Sequence, residues 1–119
     1  MIINPKLKGN RIMHLFGVCD GHGKQGKKAS EYVQINLTRN IVTDIKELTK
    51  SGPIETAPES AIIEILHTAV IKTNEEVVNA PFDTIFSGTT CCAIFFLGRK
   101  LYTINVGDSR AIVVKQLSG

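Results

Sequence analysis

The chain has 119 residues, of which 43% are apolar and 21% charged, the balance of a soluble globular protein. This excludes a disordered tail or a collagenous repeat, and the length suits one domain or part of one. Fourteen basic against eleven acidic residues leave a charge of only +3. With scattered lysines and few aromatics, nothing argues for nucleic-acid binding. The longest stretch without a charge, Thr84 to Gly98, is too short for a membrane helix. No apolar run follows a basic start at Met1-Ile2-Ile3-Asn4-Pro5, so no secretory signal is expected.

In chain order, Ile12 to Cys19 is a short apolar run of strand formers. It ends in the turn Asp20-Gly21-His22-Gly23. From Lys28 to Leu48, Ala29, Val33, Leu37, Ile41, Ile45 and Leu48 recur every three or four residues and predict a helix with one apolar stripe. Ser51-Gly52-Pro53 marks a loop. Thr56 with Glu59 reads as a capping box, with Pro58 in the first turn of a second helix. Ile62, Leu66, Ala69, Val70, Thr73 and Val77 form its apolar stripe, and Asn79-Ala80-Pro81 ends it. Thr89 to Leu97 then resembles a strand buried on both faces. Gly98-Arg99-Lys100 predicts a hairpin turn to a strand over Leu101–Val106. Gly107-Asp108 predicts another, to a strand over Ser109–Val114. The expected class is α+β, with helices packed on an antiparallel three-strand meander. Phe95, Phe96, Ile104 and Val113 cannot all face the helices, so self-association through the open sheet is expected.

Cys19, Cys91 and Cys92 are odd in number, and two of them are adjacent. They suggest buried thiols in a reducing compartment, cytoplasmic or nuclear, and show no zinc-ligand spacing. His67 reads as a surface histidine. Lys24, Lys27 and Lys28 read as solvated chains near a helix start.

Three short motifs have chemical content. In Asp20-Gly21-His22-Gly23, Asp20 offers an oxygen ligand to a hard cation such as Mg²⁺ or Mn²⁺. Glycine lets a backbone carbonyl approach that ion. His22 is suited to protonating a leaving oxygen near neutral pH. A plain strand-to-helix turn is the competing reading. Ser87-Gly88-Thr89-Thr90 and Asn105-Val106-Gly107-Asp108-Ser109-Arg110 are each, alone, compatible with simple turn chemistry. Gly21-His22-Gly23-Lys24-Gln25-Gly26 also matches a dinucleotide fingerprint, with Asp44 near the position of a ribose-binding acid. Asp20 beside a pyrophosphate, a helical setting for Asp44 and a later meander all argue against it.

Taken together and in order, residues 16–23 (Phe-Gly-Val-Cys-Asp-Gly-His-Gly), 87–90 and 105–111 resemble the metal-dependent protein Ser/Thr phosphatase family, type 2C. The resemblance runs from about Leu15 to Val114. It implies a β-sandwich flanked by helices, with a metal centre at one edge. It implies that Asp20 bridges two Mg²⁺ or Mn²⁺ ions, that Gly21 offers its carbonyl oxygen, and that Asp108 belongs to a third, weaker metal site. His22 matches the family's proposed general acid. The implied reaction is hydrolysis of a phosphoserine or phosphothreonine protein by a metal-activated water.

The family's upstream segment, with an Arg and an acidic ligand, has no match. Arg11 is followed by Ile12-Met13-His14 and takes no such role. Further metal-binding aspartates downstream are also unmatched. Residues 1–119 are therefore expected to be a central part of a larger catalytic domain, weakly active or inactive alone. A non-catalytic phosphatase-like binding or regulatory module is the alternative.

Overall fold

The structure is a computed structural model and describes residues 1–118. Strand β1 (Ile2–Asn4) leads to β2 (Met13–Val18) and the two-residue β3 (Gly21–His22). Helices α1 (Gly26–Leu48) and α2 (Glu59–Val78) follow. The chain then runs through β4 (Gly88–Thr89), β5 (Cys91–Leu97) and β6 (Lys100–Val106). Four strands form one antiparallel sheet in the order β1-β2-β5-β6. β3 and β4 form a separate small antiparallel pair at its end. The α+β class and both helices agree with the sequence reading.

Strand alternation divides the sheet into two faces. Met13, Leu15, Cys91, Ala93, Phe95, Leu97 and Ile104 point to the helices and are buried. They meet Leu37, Ile41 and Ile45 of α1 and Ile62, Leu66 and Ala69 of α2 in one apolar cluster. Leu15 and Phe95 are wholly inaccessible. Between the helices, Asn40 donates through Nδ2 to Thr73 Oγ1 at 3.0 Å and to Glu76 Oε2 at 3.1 Å. Arg39 reaches the same Glu76 oxygen at 2.9 Å. This satisfied polar link fixes how α1 and α2 cross, because leaving either buried partner unpaired is costly.

The structure departs from the sequence reading in four places. First, β1 was unmarked by any strand signal. Its three residues pair with β2, Ile3 opposite Phe16. Second, the Thr56–Glu59 capping box is not formed. Thr56 instead donates its hydroxyl to Pro53 O at 2.7 Å, inside a 3₁₀ turn over Ile54–Thr56. Pro58 is the cap residue of α2 and provides no side-chain hydrogen bond. Third, Ser109–Val114 is not a strand. It is exposed, and Ile112, Val113 and Val114 are each at least three-quarters accessible. Its apolar residues do not pair with the sheet, although β6 presents a free edge. Fourth, the outer face of β5 is only half-buried at Ile94 and Phe96, not covered as a strand buried on both faces would be. Among the described residues, no helix is long and apolar enough to cross a membrane.

Candidate active site

The three sequence motifs converge where β2 and β5 leave the sheet. Asp20 follows β2 directly. Its backbone N–H donates to Thr90 Oγ1 at 3.1 Å, and Thr90 N–H donates back to Asp20 O at 3.0 Å. Thr90 Oγ1 also lies 2.7 Å from Ser109 Oγ. One threonine side chain therefore ties the Asp20 backbone to the residue after Asp108. The sequence reading noted Thr90 within its motif but gave it no role. Its only signal there is a small β-branched hydroxyl at a strand start.

β3 carries Gly21 and His22, held by pairing of Gly21 with Thr89 and His22 with Gly88. A Cβ on Gly21 would stand 2.1 Å from Gly26 O, so the turn packs directly on the first residue of α1. Gly23 has φ +81°, a left-handed conformation that L side chains resist. A Cβ there would also meet Phe86 O at 2.2 Å. Ser87 is buried and accepts from the N–H of Gln25, the residue before α1, at 3.0 Å. The Ser-Gly-Thr-Thr segment thus braces the Asp-Gly-His-Gly turn from β3 to the helix start.

The His22 ring lies over Gly88, where an added Cβ would sit 2.9 Å from Cε1. The ring also borders a cavity of about 250 Å³ that reaches Val33, Thr73, Val77 and Cys91 between the helices and β4. Behind Asp20, Cys91 hydrogen-bonds to the Cys19 sulfur. That bond holds the Cys19 thiol below its ordinary value, against burial. The same contact, with burial, pushes Cys91 well above its own. Cys19, Cys91 and Cys92 are all free thiols.

Asp20, Gly21, His22 and Asp108 are all exposed. None of the ion pairs found among the described residues involves either aspartate. Exposed carboxylate and carbonyl oxygens are the donor type a hard divalent cation takes. Their number is small: among the described residues, no three His, Cys, Asp or Glu side chains gather into a metal-binding group. The donors fit part of a Mg²⁺ or Mn²⁺ cradle and do not complete one. Asp44 lies inside α1, which removes the dinucleotide alternative. His67 and the three lysines Lys24, Lys27 and Lys28 are exposed, as solvated side chains are.

The sequence has counterparts among known proteins. The family model described as protein phosphatase 2C matches residues 2–118. The probable protein phosphatase 2C 35 of Arabidopsis thaliana is 34% identical over 111 residues, 93% of this chain and 29% of that one. The probable protein phosphatase 2C 41 of Oryza sativa subsp. japonica is 38% identical over 109 residues, 91% of this chain and 34% of its own. A second rice protein, "Probable protein phosphatase 2C member 13, mitochondrial", is 38% identical over 105 residues, 88% of this chain and 26% of its own. The chain spans about a third or less of the length of these relatives. With the match running from residue 2 to residue 118, this chain belongs to the protein phosphatase 2C family.

Proposed function

We propose that residues 1–119 form part of the catalytic domain of a metal-dependent protein serine/threonine phosphatase, and that this part alone turns over weakly or not at all. The observation that supports it is the Thr90 clamp, which brings the Asp20 turn and the Asp108 turn to one end of the sheet. In this reading Asp20 and the Gly21 carbonyl would hold Mg²⁺ or Mn²⁺ at the main site, as two ions, and Asp108 would serve a third, weaker one. When bound, the ions would supply charge neutralisation for the phosphoryl oxygens and activation of water.

The chain's own residues do the rest. Thr90 fixes the Asp20 backbone, so the carboxylate has a defined origin. The close contact of Gly21 with Gly26 sets the path of the turn that carries the Gly21 carbonyl. His22, steadied by β3–β4 pairing, donates a proton to the departing serine or threonine oxygen. The substrates are phosphoserine and phosphothreonine proteins, and neither nucleic acid nor membrane is a partner. The free thiols support a cytoplasmic or nuclear setting.

The weak activity expected of the chain alone follows from charge. Two divalent ions carry four positive charges, and Asp20 is a single carboxylate at the main site. Hard cations also take six or so oxygen ligands. The non-catalytic module remains the second reading, favoured by the absence of a three-group metal cluster among the described residues.

A chimera separates the two. Residues 2–118 would replace the matching segment of an active type 2C phosphatase, and p-nitrophenyl phosphate hydrolysis would be measured with Mn²⁺, with EDTA, and with Asp20→Asn. Mn²⁺-dependent turnover lost in Asp20→Asn is expected. A folded chimera no faster than its Asp20→Asn form would favour the binding module.

A further inference from the structure

Cys19 and Cys91 face each other where two strands diverge. β2 and β5 pair from Met13 opposite Leu97 to Val18 opposite Cys92. The Thr90 N–H bond to Asp20 O carries the same register two residues further. Asp20 therefore stands opposite Thr90, and Cys19 opposite Cys91. Hydrogen-bonded and non-hydrogen-bonded pairs alternate along an antiparallel ladder, and the second kind brings Cα atoms to about 4.5 Å. Asp20–Thr90 occupies a bonded position, so Cys19–Cys91 occupies a close one.

The preceding close pair shows how tight this row is. A Cβ on Gly17 would lie 2.7 Å from Ala93 Cβ. A disulfide spans Cα atoms roughly 4.4–6.8 Å apart, so the row is within its range. Both side chains lie on the helix face of the sheet, Cys91 within the apolar core and Cys19 packed against it. Cys92 is adjacent in sequence but points to the opposite face, as successive strand residues do.

Access is adequate for a small oxidant. Cys19 is half-buried, and Cys91 lines the cavity that also reaches His22.

We propose that Cys19 and Cys91 are a modification site: a thiol pair that closes into a reversible disulfide on exposure to a hydroperoxide. In the first step the Cys19 sulfur attacks one peroxide oxygen. The O–O bond breaks, Cys19 becomes a sulfenic acid, and one water (or alcohol) leaves. In the second, the Cys91 sulfur attacks the Cys19 sulfur. The S–S bond forms, the S–O bond breaks, and the hydroxyl leaves with the Cys91 proton as water. Two thiols are oxidised and one peroxide is reduced. The bond would tie β2 to β5 at the residue before Asp20 and the residue after Thr90. Its formation does not depend on the phosphatase reading.

The test uses the reduced 119-residue chain, titrated with hydrogen peroxide, alkylated, and mapped by intact mass and tandem mass spectrometry. The expected product has lost two hydrogens and links Cys19 to Cys91, in the wild type and in Cys92→Ser alike. Dithiothreitol should restore the starting mass, and Cys19→Ser should give no such product. The oxidised chain should also melt several degrees higher than the reduced one. Three results would overturn the proposal: Cys19 ending as a sulfinic or sulfonic acid beside an unreacted Cys91, a bond to Cys92 instead, or both thiols unchanged while Cys92 oxidises. The wild-type map decides the matter even if Cys19→Ser folds poorly.

Discussion

The two faces of the main sheet are built from similar side chains and have opposite fates. Leu15 and Phe95, on the helix face, are 0% accessible, whereas Phe16 and Val18, on the other, are 37% and 48% exposed. The outer face also carries Ile3, Ile94, Phe96 and Leu101, joined through the pairs Ile3–Phe16, Phe16–Ile94 and Phe96–Leu101. Among the described residues, Arg110 and Ala111 border a groove on this face. Hydrophobicity makes a residue available for burial. Whether it is buried depends on what the rest of the chain places over it.

The largest test of this contrast is a matched truncation. Phe95→Ala should cost about 3–5 kcal/mol, as large core deletions do, and leave much of the chain unfolded. Phe16→Ala, on the outer face next to Leu15, the partner of Phe95, should cost under about 1 kcal/mol. Urea unfolding followed by circular dichroism would show both, and equal losses would mean that the outer face is covered too.

The polar link under the helices should come next. Asn40→Ala removes two hydrogen bonds but leaves Thr73 bonded to Ala69 O and Glu76 to Arg39, and a destabilisation of about 1–2 kcal/mol is expected. Thermal melts of Asn40→Ala and Thr73→Val, singly and together, should show non-additive losses.

At the candidate site, Gly23→Ala forces a left-handed backbone onto an L side chain. It should cost about 1–2 kcal/mol before its clash with Phe86 O is relieved. Amide hydrogen exchange should then rise at residues 20–26 and stay unchanged in α2.

The open face supplies a different kind of experiment. Phe16→Lys should leave stability within about 0.5 kcal/mol, as exposed substitutions do. It should nonetheless shift the chain toward monomer in sedimentation velocity. A wild type that is already monomeric at high concentration would overturn the self-association expected from the open sheet.

The smallest effect concerns the exposed pair of Glu59 and Lys100, whose Oε1 and Nζ lie 2.7 Å apart and join α2 to β6. The hydrogen bond from Lys100 lowers the Glu59 carboxyl below its ordinary value, and the same bond raises Lys100. A depressed acid stabilises the fold above its unfolded value and loses that contribution as pH falls through the folded one. A raised lysine contributes below its unfolded value and loses that as pH rises through the folded one. The pair therefore acts between these two limits. Lys100→Ala should flatten the acid edge of a stability–pH profile slightly, and added salt should erase the difference.

Much of this molecule is set by local patterns. The 3.6-residue stripes placed α1 and α2, because a helix with one apolar face has one stable way to lie on a sheet. The Gly98-Arg99-Lys100 signal placed the β5–β6 hairpin, although the turn itself is two residues and Lys100 already pairs with Leu97. The three glycine-containing motifs identified the candidate site, because tight turns and close backbone approach demand specific residues at specific spacings. Other features depended on partners distant in sequence. β1 is a strand only because β2 offers a free edge. Ser109–Val114 is also rich in apolar residues, yet it does not pair with the free edge that β6 presents. Thr90 holds the site through hydroxyl contacts to Asp20 and Ser109, which no local pattern encodes. Cys19 and Cys91 meet only through strand register. Local sequence fixes which conformations are cheap, whereas pairing and burial are decided by what the folded chain brings alongside.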